Sequence, residues 1–128
     1  MKTAGLNALL DNTFGSGCYV GLIRDDGYTD LGASGDTLAS HANWQEGDEY
    51  TGNRPAFTTA PAASGSITNS ASVASFAIDD TETMKGFFVC TAASGTSGTL
   101  HLNALFESGD VDVVSGNTLE VTVTITAS

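Results

Sequence analysis

Thr118-Leu119-Glu120-Val121-Thr122-Val123-Thr124-Ile125-Thr126 alternates between two kinds of side chain without a break. Leu119, Val121, Val123 and Ile125 fall on one side; Thr118, Glu120, Thr122, Thr124 and Thr126 fall on the other. A period of two sustained over this stretch predicts a β-strand with one face buried. Such a strand does not stand alone. Burying each apolar side chain contributes roughly 1.5–3 kcal/mol, while fixing each backbone residue costs roughly 1–2 kcal/mol. The sums are comparable, so the strand persists only in a sheet that also pairs its backbone groups.

Upstream, the same logic recurs. Ser115-Gly116-Asn117 turns the chain, and Val111 to Val114 reads as a short strand after a turn at Glu107 to Asp110. Thr99 to Phe106 carries Leu100, Leu102, Ala104 and Phe106 at alternate positions, with His101 on the opposite, polar face. Ala92 to Gly98 is a Ser/Gly/Thr turn. Lys85 to Thr91 contains Phe87, Phe88, Val89 and Cys90, a continuous apolar run that suits a strand buried on both faces. Ser72 to Ile78 alternates imperfectly, and Tyr19 to Arg24 reads as the first strand. Strands separated by turns, without helices between them, predict an all-β domain: an antiparallel β-sandwich or jelly roll. No internal repeat of fixed period is present.

One helix is expected, over Thr3 to Asp11, with Thr3 as N-cap, Leu6, Leu9 and Leu10 on one face, and Gly15 and Gly17 ending it. A helix this short is unstable when free. Its leucines must pack on the domain or on a neighbouring molecule. The other segment outside the strand pattern is Asp25 to Pro55, a long polar loop holding Trp44, Tyr28, Tyr50 and the acids Glu46, Asp48 and Glu49. A connection of that length in a small domain is often a binding loop.

The 128 residues suit one domain over 1–128. Four Lys and Arg stand against 15 Asp and Glu, a formal net charge of -11. That excess disfavours nucleic acid and anionic membrane surfaces as partners, since both are held by Lys and Arg. No apolar run is long enough for a transmembrane helix. Met1 to Leu10 lacks the apolar core of a signal peptide, so folding in the cytosol is expected. There Cys18 and Cys90 would stay thiols, buried and inert, with a disulfide formed later as the alternative.

Catalytic and metal chemistry find little purchase. His41 and His101 lack the neighbouring His or Cys of a zinc site. Asp25, Asp26, Asp30 and Asp36, and again Asp79, Asp80 and Glu82, are clustered as calcium would ask, but no EF-hand spacing is present and turns use Asp in the same way. Gly95-Thr96-Ser97-Gly98 is not a nucleophile elbow. No Gly-rich phosphate loop precedes a helix. The expectation is therefore no enzyme and no cofactor. Leu6, Leu9, Leu10, Trp44, Tyr50 and Arg54 are the candidate assembly-interface residues, because aromatics and Arg are enriched where proteins meet. A second reading of the loop has Trp44 plugging the end of the sandwich and Arg54 paired with a loop acid.

Several segments, in this order, resemble a family of small structural proteins of tailed bacteriophages, variously virion structural, tail-fibre-like or capsid cement proteins. They are Thr3 to Asp11, Trp44-Gln45-Glu46, Tyr50 to Pro55, Ala63 to Ser70, Lys85-Gly86-Phe87-Phe88, Ser94 to Leu100 and Ser115 to Val121. The resemblance implies a capsid decoration or cement protein on the outer head surface, assembled in the host cytoplasm. Its partners would be the major capsid protein and itself, as a homotrimer, with the helix and the Asp25–Pro55 loop as contact surfaces. The alternative is a tail or host-contact component that binds a receptor or glycan. A glycan-degrading enzyme is the third reading.

Overall fold

The computed structural model describes residues 2–127. Its organising strand is β5 (Glu82–Cys90), which contains the continuous apolar run and lies inside a five-stranded antiparallel sheet. β1 (Tyr19–Arg24) pairs along one side of it, and β2 (Gln45–Gly47) extends the sheet beyond β1. On the other side, β6 (Leu100–Leu105) pairs with the C-terminal half of β5 and β7 (Val111–Val113) with its first residues. Residues on β5 therefore have strands on both sides and packing on both faces, which accounts for the absence of alternation there.

One face of this sheet is covered by regular elements. β3 (Ser66–Thr68) pairs with β9 (Thr124–Thr126), and β4 (Ala74–Ala77) pairs with β8 (Thr118–Val121). Together they form a two-stranded antiparallel ribbon interrupted at its middle. Ile67, Phe76, Val121 and Val123 of this layer share a core with Val20, Leu22, Met84 and Val89 of the sheet. The fold is thus mostly strand, antiparallel throughout, with one short helix, as expected.

The stretch from Thr118 to Thr126 keeps its alternation but not its continuity. It divides at Thr122-Val123 into β8 and β9. Asn69, fully buried, spans the division. Its side-chain amide donates to the Val121 carbonyl at 3.1 Å, and its side-chain oxygen accepts from the Val123 N–H at 2.8 Å. A side-chain amide has the same donor and acceptor as a peptide group, so Asn69 stands in for the missing backbone partner. Val121 and Val123 both remain buried, Leu119 and Ile125 pack against the same core, and the threonine face is exposed.

The helix α1 (Thr3–Phe14) is longer than expected and its apolar face is rotated. Thr3 is its first helical residue and Lys2 the N-cap, without a side-chain cap bond; Gly15 is the C-cap. Leu10 and Phe14, one helical turn apart, are buried, while Leu9 is 52% exposed. Asn7 and Asp11, also one turn apart, accept hydrogen bonds from the Gly65 and Ala62 N–H groups at 2.9 and 2.8 Å. They fix the helix to the tight turn at Ser64-Gly65, where both residues have positive φ, the conformation a two-residue hairpin turn requires.

The pattern from Thr99 to Phe106 is broken by a bulge. Val89 pairs with Leu102 and Cys90 with Leu100, so His101 has no partner in the register. The extra residue sends Leu100 and Leu102 to opposite faces of the sheet. His101 lies edge-on to Phe14 with ring centroids 5.4 Å apart, rather than on a purely polar face.

Candidate functional site

The Asp25–Pro55 segment is not an open loop. It folds over the second face of the sheet and builds its own core from Leu38 and Trp44 against Ile23, Phe88 and Cys90. Gly21 makes this possible: the Phe88 ring lies directly over it, where a Cβ would stand 2.0 Å from the ring carbon. Trp44 is 1% exposed, stacked on His41 at 3.7 Å between centroids and tilted against Phe88 at 5.3 Å. The His41 Nδ1 lies 3.0 Å from the Trp44 carbonyl. Turns within the segment are closed by its own acids. Asp30 accepts from the Gly32 N–H and from Asn43, which hold its carboxyl below the usual range, and Asp36 accepts from the Ala33 N–H. Asn103 of β6 donates to the Leu31 carbonyl and ties the segment to the sheet.

This packing corrects the assembly-interface assignment for several residues. Trp44, Arg54 and Leu10 lie in the interior, so their side chains do not present a surface to a second molecule. Tyr50 is half-buried, edge-on to Phe76 at 4.9 Å; burial first, then the nearby Glu46 charge, pushes its phenol upward. Leu6 is half-buried beside Gly65, and Leu9 alone of the six stands well exposed. Of the second reading of the loop, the pairing of Arg54 with a loop acid is observed, while Trp44 is buried over the second face of the sheet rather than at the end of a sandwich.

That pair is Arg54 with Glu46. The guanidinium, 5% exposed, donates from Nε and Nη2 to the two Glu46 oxygens at 2.7 Å each. It also donates to the Ala92 and Gly95 carbonyls at 2.8 Å, and lies 5.4 Å from the Phe88 ring centroid. A two-pronged carboxylate contact with two further donors on carbonyls is the geometry in which a buried charge is tolerated. The hydrogen bonds to Glu46 raise the Arg54 pKa against the cost of burial. Arg54 thereby fixes the Ala92–Gly98 turn to β2. At the next position along the same edge, Arg24 donates to Gln45 and faces Asp48 and Glu49. Lys85 pairs with Asp25 and Asp110.

The two thiols lie on opposite faces of the sheet, Cys18 in the first core and Cys90 in the second. Both are free, both donate to carbonyls, and burial pushes both upward, so they remain protonated. Side chains aimed to opposite faces do not meet disulfide geometry. Among the described residues, no three His, Cys, Asp or Glu gather as a metal ion requires, and no helix is long and apolar enough to cross a membrane.

One surface feature was not apparent from the sequence pattern. Between the end of β6 and the β8–β9 division runs a groove of about 530 Å³, lined by Phe87, Ala104, Leu105, Phe106, Thr122 and Val123 among others. Leu105 is 46% exposed at its rim, and Glu107 is the charged residue of its lining. β6 ends the sheet order, and β8 and β9 each pair with one strand, so unpaired edges flank the groove. Its mark in the sequence is Leu105, an apolar residue on the otherwise polar side of the alternation between Ala104 and Phe106. Comparison with family models, curated proteins and solved structures gives no match to this chain.

Proposed function

We propose that this chain is a structural protein of a tailed-phage virion, a decoration or cement protein on the outer face of the head, acting by assembly and without catalysis. The observation that carries the reading is the groove beside β6 and the β8–β9 division. It joins an exposed leucine, two half-buried phenylalanines and free strand edges, and it carries little charge on a chain of net charge -11. Like charge repels copies of so acidic a protein everywhere else. The groove is where a second copy approaches at least electrostatic cost, and a homotrimer built through it leaves the acidic faces outward. The pairing of Arg24, Arg54 and Lys85 with carboxylates of the same chain supports an outward-facing location, since it leaves few cations for phosphates. Binding only the assembled shell would stabilise that shell by mass action. The host-contact alternative drew on an open aromatic loop, and Trp44 is packed inside.

The test has two parts. Native mass measurement of the pure protein is expected to give a trimer, and Leu105→Asp to give a folded monomer. Heads stripped of the protein are expected to lose heat resistance and regain it on adding back the unaltered chain. A trimer that survives Leu105→Asp would remove the groove from the reading. Unchanged head stability would remove the cement function itself.

A further inference from the structure

Glu49 stands where a carboxylate is poorly served. Its residue is 8% exposed, and neither carboxylate oxygen accepts a hydrogen bond. The backbone fixes it there: the Glu49 carbonyl accepts from the Asp79 N–H at 3.0 Å, and the next residue, Tyr50, bridges to Ile78. The side chain meets charged groups from three directions. Arg24 of β1 has Nη1 3.5 Å away. Asp48 follows directly from β2 and draws on the same Nη1 at 3.8 Å. Glu82, at the start of β5, adds a further negative charge. Asp79 is turned to the Thr51 hydroxyl, which it accepts at 3.3 Å. Arg24 is not dedicated to Glu49, because its Nε and Nη2 hydrogen bonds go to Gln45. Two carboxylates, Asp48 and Glu49, thus share one guanidinium, Glu82 adds like charge, and the more buried of the pair holds no hydrogen bond.

We propose that Glu49 is a proton-operated latch on the β2 edge of the sheet: protonated, it closes the seam between β1, β5 and the chain leaving β2, and ionised, it loosens that seam. An unbonded buried carboxylate is costly, and neutralising it removes the cost. Burial first, then the Asp48 carboxyl beside it, then Glu82, raise the Glu49 carboxyl above the usual range, against the opposing pull of Arg24. The sign follows. A group whose folded pKa is raised lends stability that is full below its unfolded value of about 4.3 and is lost as pH rises through its folded value. This is opposite to an ordinary ion-paired carboxylate. The effect is local, because β2 is a three-residue edge strand whose ladder is with β1, and it runs directly into Asp48 and Glu49.

The experiment is a carboxyl-carbon NMR titration of the full chain from mild acid to neutrality, with urea denaturation at both ends. The Glu49 midpoint is expected above about 4.3, the value for free glutamate. Glu82→Gln is expected to move that midpoint down, since it removes a like charge and leaves Glu49 in place. Glu49→Gln is expected to flatten the loss of urea midpoint between mild acid and neutrality. A Glu49 midpoint at or below the free value would overturn the proposal, as would one that Glu82→Gln leaves unmoved. If Glu49→Gln fails to fold, the Glu82→Gln titration decides alone. Nothing in this outcome depends on the trimer or on the phage head.

Discussion

On one face of the central sheet, Val20, Leu22, Met84 and Val89 meet strands and a helix. On the other, Ile23, Phe88 and Cys90 meet a connection whose one strand is Gln45–Gly47. Both faces bury their side chains to the same degree, but they are held differently. The first is distributed: ladders satisfy the backbone, and each apolar residue is one of many. The second is concentrated. A segment with one short ladder, at Gln45–Gly47, closes much of the rest of its backbone through local turns and particular side chains, such as Asp30, Asp36 and Asn103, and its apolar cover depends on Trp44 and Leu38. Loss of one side chain should therefore cost more on the second face than on the first.

Trp44→Ala sets the largest difference. It empties the middle of the second core, removes the stack on His41 and exposes Phe88. Such a truncation costs about 3–5 kcal/mol. Val121→Ala, at an equally buried site on the first face, should cost well under half of that, because it removes far less apolar surface and has ladder neighbours around it. Urea denaturation of both variants measures the difference. Equal losses, despite the larger area that Trp44 covers, would mean that the second face does not depend on it as a concentrated anchor.

Asn69→Leu probes a place where the ribbon over the first face also hangs on a side chain. It leaves the Val121 carbonyl and the Val123 N–H buried without partners, at a cost of about 2 kcal/mol. The loss should be local: hydrogen exchange should quicken at Val123 and its neighbours in β8 and β9 more than in β5. Uniform quickening across the sheet would show that the division between β8 and β9 is not a separate weak point.

How far the sequence shows all this follows the same divide. The alternation from Leu119 to Ile125 is visible because its two faces differ chemically, and each of those four residues does pack toward the core. The break within it is invisible. Asn69 acts across 52 positions of sequence, and its amide preserves the alternation it interrupts. The run at Phe87–Cys90 is legible because a strand covered on both faces has no polar side. What covers its second face is not, because Leu38 and Trp44 follow neither a period of two nor one of 3.6. Interior and interface placements of an aromatic look alike in such a segment. The Arg54 partner could be narrowed to a loop acid but not to Glu46. The groove was harder still, since it forms between β6 and β8–β9 only after both layers are in place.

The helix gives the smallest test, at the scale of a single turn. Leu9 and Leu10 are adjacent, both leucine, and both fit the apolar stripe that the sequence alone allows. Docking chooses between them. Asn7 and Asp11 bond to the Ala62–Gly65 backbone, and this fixes the rotation that buries Leu10 and Phe14 and turns Leu9 outward. Leu9→Ser removes a side chain already half in water, so the folded chain should change by no more than about 0.5 kcal/mol. A larger loss in dilute monomer would mean that the helix sits in a different rotation. A loss that appears only at concentrations where copies associate would instead place Leu9 in a contact between molecules, the one member of the helical stripe that remains free to make it.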